Sequence, residues 1–397
     1  MKIGTLTLRV PTNYGNALQT FSLHKYLLEQ GFDAVVLNKW GLPNEDEVRW
    51  LHRQIRTFRG LVRFFLGLIN FSGMFCQFCR ERKLRQWLYS NIRWSREQGY
   101  DTEFPVEELD CDTIVVGSDQ VWNPMYPTLE FYLLGSFPDR IKKIAYAASL
   151  GTTIPPPPHY KQPLEKFLAL SVRESSACQI LHNQFGIKST LVCDPTLLHT
   201  REEWCRLLGI EDKVTSGDDL VMYLVTYAFR VQWRDPIRIA RQSGKRVHCY
   251  VFTKSFLVPI FDVRHPFSSI VATYKNIMKR VLLFISGVRL HFMATPTEFV
   301  RRISQSGGLI TDSFHGMMFA TIFGKPCNVV VGTHPQRVKM SARLHDFLTD
   351  FGDPSILTAE PDVKAMKKIP MTQKLTDFVT MSKKWLLDAL SAAEGRQ

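Results

Sequence analysis

Short apolar runs alternate with longer amphipathic stretches along this chain. Residues 3–8 form an uncharged run of strand length, and residues 34–37 form another. Between them, residues 17–30 carry apolar side chains at helical spacing, Leu18, Phe21, Tyr26 and Leu28 among them, and Gly31 stops the helix. A strand, a helix and a second strand in this order imply a parallel sheet. No GxGxxG follows the first strand, so the unit is not a dinucleotide fingerprint. Further strands are expected at 113–116, 143–147, 168–172 and 191–193. Beyond a polar patch at 211–219, they are expected at 220–227, 246–252, 308–311 and 327–331. Helices are expected at 174–184, 236–243, 297–304 and 317–323, with a terminal helix over 372–393. Four prolines at 155–158 predict a stiff extended segment. Two α/β halves joined near residue 215 are the simplest organisation, and 397 residues are ample for two cores.

Composition changes this picture in one place. With 45% hydrophobic and 22% charged residues the chain reads as globular, but its net charge is +13. Most of that excess is local: between residues 49 and 96 eleven basic residues face a single acid, Glu81. On a helical wheel of residues 49–70, Leu51, Ile55, Phe58, Val62, Phe65 and Ile69 share one face. Arg49, Arg53, Arg56 and Arg63 share the other. Such a helix suits an anionic membrane interface, and equally a core-facing helix with a solvated basic side. Nucleic acid is the weaker reading. Residues 274–292 repeat the pattern more faintly, with Lys275, Lys279, Arg280 and Arg289 among apolar residues. No signal peptide and no run long enough to span a membrane is visible, so a cytoplasmic protein, peripheral on the inner face of the plasma membrane, is expected. The eight cysteines are scattered; Cys76 and Cys79 form one CxxC with no second pair, so no metal site is expected.

Candidate chemistry sits at strand ends. Thr311, Asp312, Ser313, His315 and Gly316 fall where a parallel strand ends and a helix begins, which is where open α/β sheets bind ligands and helix N–H groups attract anions. A histidine there can donate to an anion or move a proton. After the 113–116 strand, Gly117 permits a tight turn and Ser118, Asp119 and Gln120 follow. Asp119 is a candidate proton carrier or hydroxyl acceptor, and equally an N-cap. Arg173, at the end of the 168–172 strand, can hold a phosphate or carboxylate in bidentate fashion, or pair with an internal acid. Asp194, just before Pro195, reads as a turn cap.

Six segments in order resemble the polysaccharide pyruvyl transferase family: Asn13-Tyr14-Gly15-Asn16-Ala17-Leu18-Gln19, Gly117-Ser118-Asp119-Gln120-Val121-Trp122-Asn123-Pro124, Ala145-Tyr146-Ala147-Ala148-Ser149-Leu150-Gly151, Ser171-Val172-Arg173-Glu174, Asp194-Pro195-Thr196-Leu197-Leu198 and Thr311-Asp312-Ser313-Phe314-His315-Gly316. The resemblance covers about residues 1–345, interrupted by the basic insert. It implies an α/β, GT-B-like fold with two Rossmann-like domains facing a central cleft. These would be residues 1–212, with the insert at about 41–100, and residues 213–397 with the terminal helix.

Phosphoenolpyruvate is the implied donor substrate, with no cofactor. The implied acceptor is a sugar, expected in a polyprenyl-diphosphate-linked precursor of a surface polysaccharide, and the product is a cyclic pyruvate ketal. His315 and Asp119 are the expected catalytic pair. Arg173, Ser313, Asp312, Gly316, Asn13, Tyr14, Gly15, Asn16, Ser118, Gln120, Trp122 and Asn123 are expected to bind substrate. Other branches of the family carry an arginine two residues before the histidine, where this chain has Ser313. Arg337, Lys339 and Arg343 are candidates to supply the missing cation. The competing readings are a GT-B glycosyltransferase using a nucleotide sugar, and a non-catalytic membrane-associated assembly protein.

Overall fold

A computed structural model describes residues 1–9, 13–39, 73–96, 104–211, 217–225, 234–251, 266–331 and 341–395. The wheel predicted for residues 49–70 lies outside these, as do Arg337 and Lys339. Among the described residues, twelve strands form two parallel sheets. The first holds β1 (Lys2–Leu6), β2 (Asp33–Val36), β3 (Thr113–Val116), β4 (Lys142–Ala148), β5 (Ala169–Val172) and β6 (Thr190–Leu191), in the order β2-β1-β3-β4-β5-β6. The second holds β7 (Leu220–Leu224), β8 (Val247–Val251), β9 (Val288–His291), β10 (Gly308–Thr311), β11 (Cys327–Val330) and β12 (Leu357–Thr358), in the order β12-β11-β10-β7-β8-β9. Central strands such as β3 and β10 are buried at every residue, as helices on both faces require.

Each sheet has one place where the chain reverses its direction of travel. In the first, β1 lies between β2 and β3; in the second, β7 lies between β8 and β10. Loops leaving the carboxyl ends of such neighbours diverge and leave a crevice. Helix Tyr14–Glu29 begins there after β1, and its N-cap Asn13 accepts from the Asn16 N–H at 3.2 Å. Helix Phe314–Ile322 begins in the matching place after β10, capped by Ser313, and is buried all round. Both helices start three residues earlier than their apolar periodicity predicts, because the caps fix the first turn.

One continuous apolar core joins the halves. Trp204 packs against Phe21 at 5.9 Å and Phe319 at 5.0 Å, and Tyr14 stacks on Phe299 at 5.1 Å. The Trp87 Nε1 in helix Gly73–Asn91 donates to Thr297 Oγ1 at 2.9 Å. The terminal helix, Gln373–Glu394, follows the second sheet in sequence but packs on the first. Ser382 Oγ accepts from the Cys193 N–H at 2.8 Å, and Glu394 reaches the Met1 amine at 3.4 Å. The basic apolar stretch at 274–292 is divided in two, the end of helix Pro266–Ile285 and strand β9, by a turn at Gly287 whose φ of +81° suits glycine. Of the four prolines, Pro157 is extended, with ψ 151°, while Pro158 opens a short 3-10 turn at Pro158–Tyr160.

Leu386 is fully buried in the terminal helix. Leu386→Ala should destabilise the protein by about 2–5 kcal/mol, read as a drop in thermal midpoint by circular dichroism. An unchanged midpoint would mean that the terminal helix does not brace the first sheet.

Candidate active site

Five strand ends and one later helix meet around the guanidinium of Arg173. Its side chain is wholly buried, so its charge must be answered locally. Nη1 donates to Asp194 Oδ2 at 2.6 Å and to Ser118 Oγ at 2.9 Å. Nη2 lies 3.4 Å from Asp119 Oδ1, and Nε lies 3.8 Å from Glu174 Oε2 without a hydrogen bond. The guanidinium also rests over the Phe314 ring at 4.8 Å. Burial opposes its charge, but Asp194, Asp119 and Glu174 outweigh that and hold its pKa above the ordinary arginine value.

Asp119 follows β3 in a left-handed conformation, φ 77°, which residues with a side chain rarely adopt. Oδ2 accepts from Asn16 Nδ2 at 3.0 Å and Oδ1 from its neighbour's N–H, Gln120, at 2.9 Å. Burial disfavours its charge; Arg173, His315 and Arg343 reverse this and bring its pKa down to about 2. Asp194 does more than cap a turn. Oδ1 accepts from the Thr196 N–H and hydroxyl, as the sequence implies, while Oδ2 is the main acceptor for Arg173 and for Ser118 Oγ. Sequence reasoning missed this second task; the available signal was an acid directly beyond a strand, as at Asp119.

His315 comes from the other half of the molecule. Its Nε2 lies 3.4 Å from Arg173 Nη1 and 3.6 Å from Asp194 Oδ2. Helix Tyr14–Glu29 can approach because it presents Gly15: a Cβ there would stand 2.5 Å from His315 Nδ1. Burial is the main influence lowering the His315 pKa, so the imidazole is neutral near pH 7 despite its carboxylate neighbours. Arg343, on helix Ala342–Phe351, completes the cluster. Nη1 is 3.9 Å from Asp119 Oδ1, and the Gln120 amide oxygen, turned toward the guanidinium, accepts from Nη2 at 3.0 Å. Arg343 Nε is buried with no hydrogen-bond partner. Burial and then Arg173 depress its pKa below the ordinary arginine value.

Other expected site residues have different tasks. Asn13 is an N-cap that also accepts from the Tyr223 hydroxyl at 3.4 Å. Ser313 caps its helix by accepting from the Gly316 N–H at 3.3 Å. Five more of the expected substrate-binding residues are engaged within the protein itself. Tyr14 is a core aromatic between Phe299, Tyr223 and Tyr250. Trp122 is fully buried, with its Nε1 committed to the Tyr132 carbonyl at 3.1 Å. Asn123 is fully buried and folds its own turn, its Oδ1 accepting from the Met125 N–H at 3.0 Å. Asp312 clamps the two central strands by accepting from the Val225 N–H at 2.5 Å. Gly316 gives room to the Thr311 hydroxyl, 2.7 Å from where its Cβ would stand.

No group of three or more His, Cys, Asp or Glu side chains suited to a metal occurs among the described residues. A separate cavity of about 400 Å³ lies beside the ends of β8 and β9, lined by Tyr250, His291, Arg301 and Arg302 among others. Asp219 Oδ2, His248 and His291 run toward it in a chain of contacts at 2.9 and 2.8 Å.

Two parallel sheets with opposed crevices and charged residues between them define an α/β, GT-B-like architecture. The chain belongs to the polysaccharide pyruvyl transferase family, whose sequence model matches residues 13–334. Among curated proteins no sequence matches. Among solved structures, the Staphylococcus aureus MnaA–UDP co-structure is similar at 12% identity and TM-score 0.50, covering 100% of this chain and 97% of that one. UDP-GlcNAc 2-epimerase from Methanocaldococcus jannaschii, in complex with UDP-GlcNAc and UDP, matches at 12% identity and TM-score 0.49, covering 99% and 100%. At such identity the first likeness concerns the fold alone.

Asp119 ionises at about 2 in the folded chain, against about 3.9 when unfolded. A depressed carboxylate contributes stability that is full above about pH 4 and is lost as pH falls through about 2. That contribution is on the order of 2 kcal/mol. Thermal midpoints measured from pH 5 to pH 2 should therefore fall less steeply in Asp119→Asn than in the parent; parallel curves would contradict the Arg173 and Arg343 pairing.

Proposed function

We propose that this protein transfers the enolpyruvyl group of phosphoenolpyruvate to two hydroxyls of one sugar, forming a cyclic ketal and releasing phosphate. The observation that carries this reading is the pair of buried arginines beside a neutral histidine and an ionised aspartate, in a chain of the pyruvyl transferase family. The donor has a phosphate and a carboxylate, so two guanidinium groups suit it better than one. Arg173 holds one anionic group. Arg343 holds the other, its unpartnered Nε being the donor available for it. It thus takes the place of the arginine that Ser313 replaces.

The chemistry needs a proton at the methylene carbon, which leaves C2 cationic and open to a sugar hydroxyl. Loss of phosphate and attack by a second hydroxyl then close the ring. The first hydroxyl's proton balances the one given to carbon, and the second leaves with phosphate. An incoming polyanion beside His315 offsets the burial that keeps the imidazole neutral and charges it as substrate binds. His315 is then the acid. Asp119, anionic with a pKa of about 2, accepts and orients the hydroxyl better than it would remove a proton outright. The acceptor is a sugar on a polyprenyl-diphosphate carrier, a reading that rests on the family's role in polysaccharides.

One observation favours a second reading. The Staphylococcus aureus protein of the same fold is named for its UDP complex, and the cavity beside β8 and β9 offers space and arginines for a nucleotide. A glycosyltransferase would release nucleotide from a sugar donor rather than phosphate.

Phosphate release from phosphoenolpyruvate in the presence of acceptor tests the assignment. His315→Ala should lower the rate at least about 100-fold. Arg343→Ala should raise KM for phosphoenolpyruvate roughly 10- to 100-fold, the worth of a charge-assisted hydrogen bond. Near-parental turnover in His315→Ala would overturn the role given to the histidine. An unchanged KM in Arg343→Ala would remove the second cation from the account.

A further inference from the structure

Helix Pro266–Ile285 turns its apolar side the wrong way for a globular protein. Tyr274, Ile277, Met278, Val281, Leu282 and Ile285 recur at spacings of three and four, so they form one stripe. With Phe284 they are 38% to 70% exposed. These seven are half of the fourteen exposed large apolar side chains among the described residues, gathered on twelve consecutive positions. Scattered apolar residues need no explanation, but a contiguous stripe of this kind marks a surface that meets something. The helix meets its own sheet through the other side, where Leu283 is buried.

Charge says what that something is. The helix contains Lys275, Lys279 and Arg280 and no acid at all. Lys275 is exposed at the border of the stripe, with Lys279 one turn further along. Just beyond the helix Arg289 folds back, its guanidinium 4.0 Å from the Phe284 ring centre and its Nη1 donating to the Phe284 carbonyl at 3.0 Å. An apolar stripe with aromatic residues, bordered by cations, is the pattern of a helix that lies in a membrane interface, its rings among the acyl chains and its cations at anionic head groups. No helix among the described residues is long and apolar enough to cross a membrane. We infer that helix Pro266–Ile285 docks the protein onto an anionic lipid bilayer, lying in its surface. This inference stands apart from the choice of donor substrate.

The full chain is tested by flotation with phosphatidylcholine vesicles, with and without phosphatidylglycerol. The parent should float with the anionic vesicles at low salt and much less with the neutral ones or at high salt. Val281→Asp/Ile285→Asp should lose flotation more than about tenfold while keeping its thermal midpoint, since both positions face solvent. Lys275→Glu/Lys279→Glu should weaken partitioning at least about fivefold per lysine. Phosphate release measured with a water-soluble acceptor should be unchanged in both variants. A parent that stays with the free protein, or an aspartate variant that floats as well as the parent, overturns the inference. So does a parent whose sedimentation shows a dimer that the aspartates convert to monomer with flotation unaffected, because a second copy would then occupy the stripe.

Discussion

A buried guanidinium cannot be left unanswered, and the arrangement around Arg173 follows from that constraint. Taking an isolated charge out of water costs several kcal/mol even after the surroundings relax. Ser118 and Asp119 come to it from beyond β3 and Asp194 from beyond β6, while Glu174 is its neighbour in the chain. His315 comes from the other sheet. A change that removed Arg173 would strip three buried carboxylates of their nearest cation, leaving only Arg343 beside Asp119, so the group binds fold and site together. The close approach of the halves at this point depends on Gly15, since any side chain there would meet the His315 ring.

Functional consequences follow from the same packing. Burial pushes Asp119 and His315 toward their neutral forms, but nearby arginines reverse this for the aspartate and reinforce it for the histidine. One group is thus a fixed anion and the other a neutral imidazole, two environments that set two titratable groups apart. Arg343 brings a second cation from an element far along the chain, with one donor uncommitted. The strained backbone at Asp119 is consistent with a carboxylate held in place for use rather than for convenience of folding.

Much of this was legible in the amino-acid sequence where periodicity and punctuation agree. β3 and β10 have the bounds expected from their apolar runs, and most other strands differ by one to three residues at their ends. His315, Asp119 and Arg173 stand out because polar residues directly after a buried strand must face a crevice. What stayed hidden depends on contacts between distant segments. Asp194 reads as a cap because Thr196 is visible two residues away, whereas Arg173 becomes its neighbour only once β5 and β6 pair. Trp122 and Tyr14 sit inside motifs that line the crevice, yet their rings turn into the core, which the order of residues does not reveal. The return of the terminal helix to the first sheet carries no local signal, because an amphipathic helix specifies an apolar partner without saying which one.

The central claim is that this site joins pyruvate, as a ketal, to a sugar. Mass spectrometry of lipid-linked glycans, incubated with the protein and phosphoenolpyruvate, addresses donor, product and acceptor at once. The account predicts a glycan whose mass rises by one pyruvate less one water, together with free phosphate. Glycans of unchanged mass, or a gain of one sugar only when a nucleotide sugar is supplied, would contradict it.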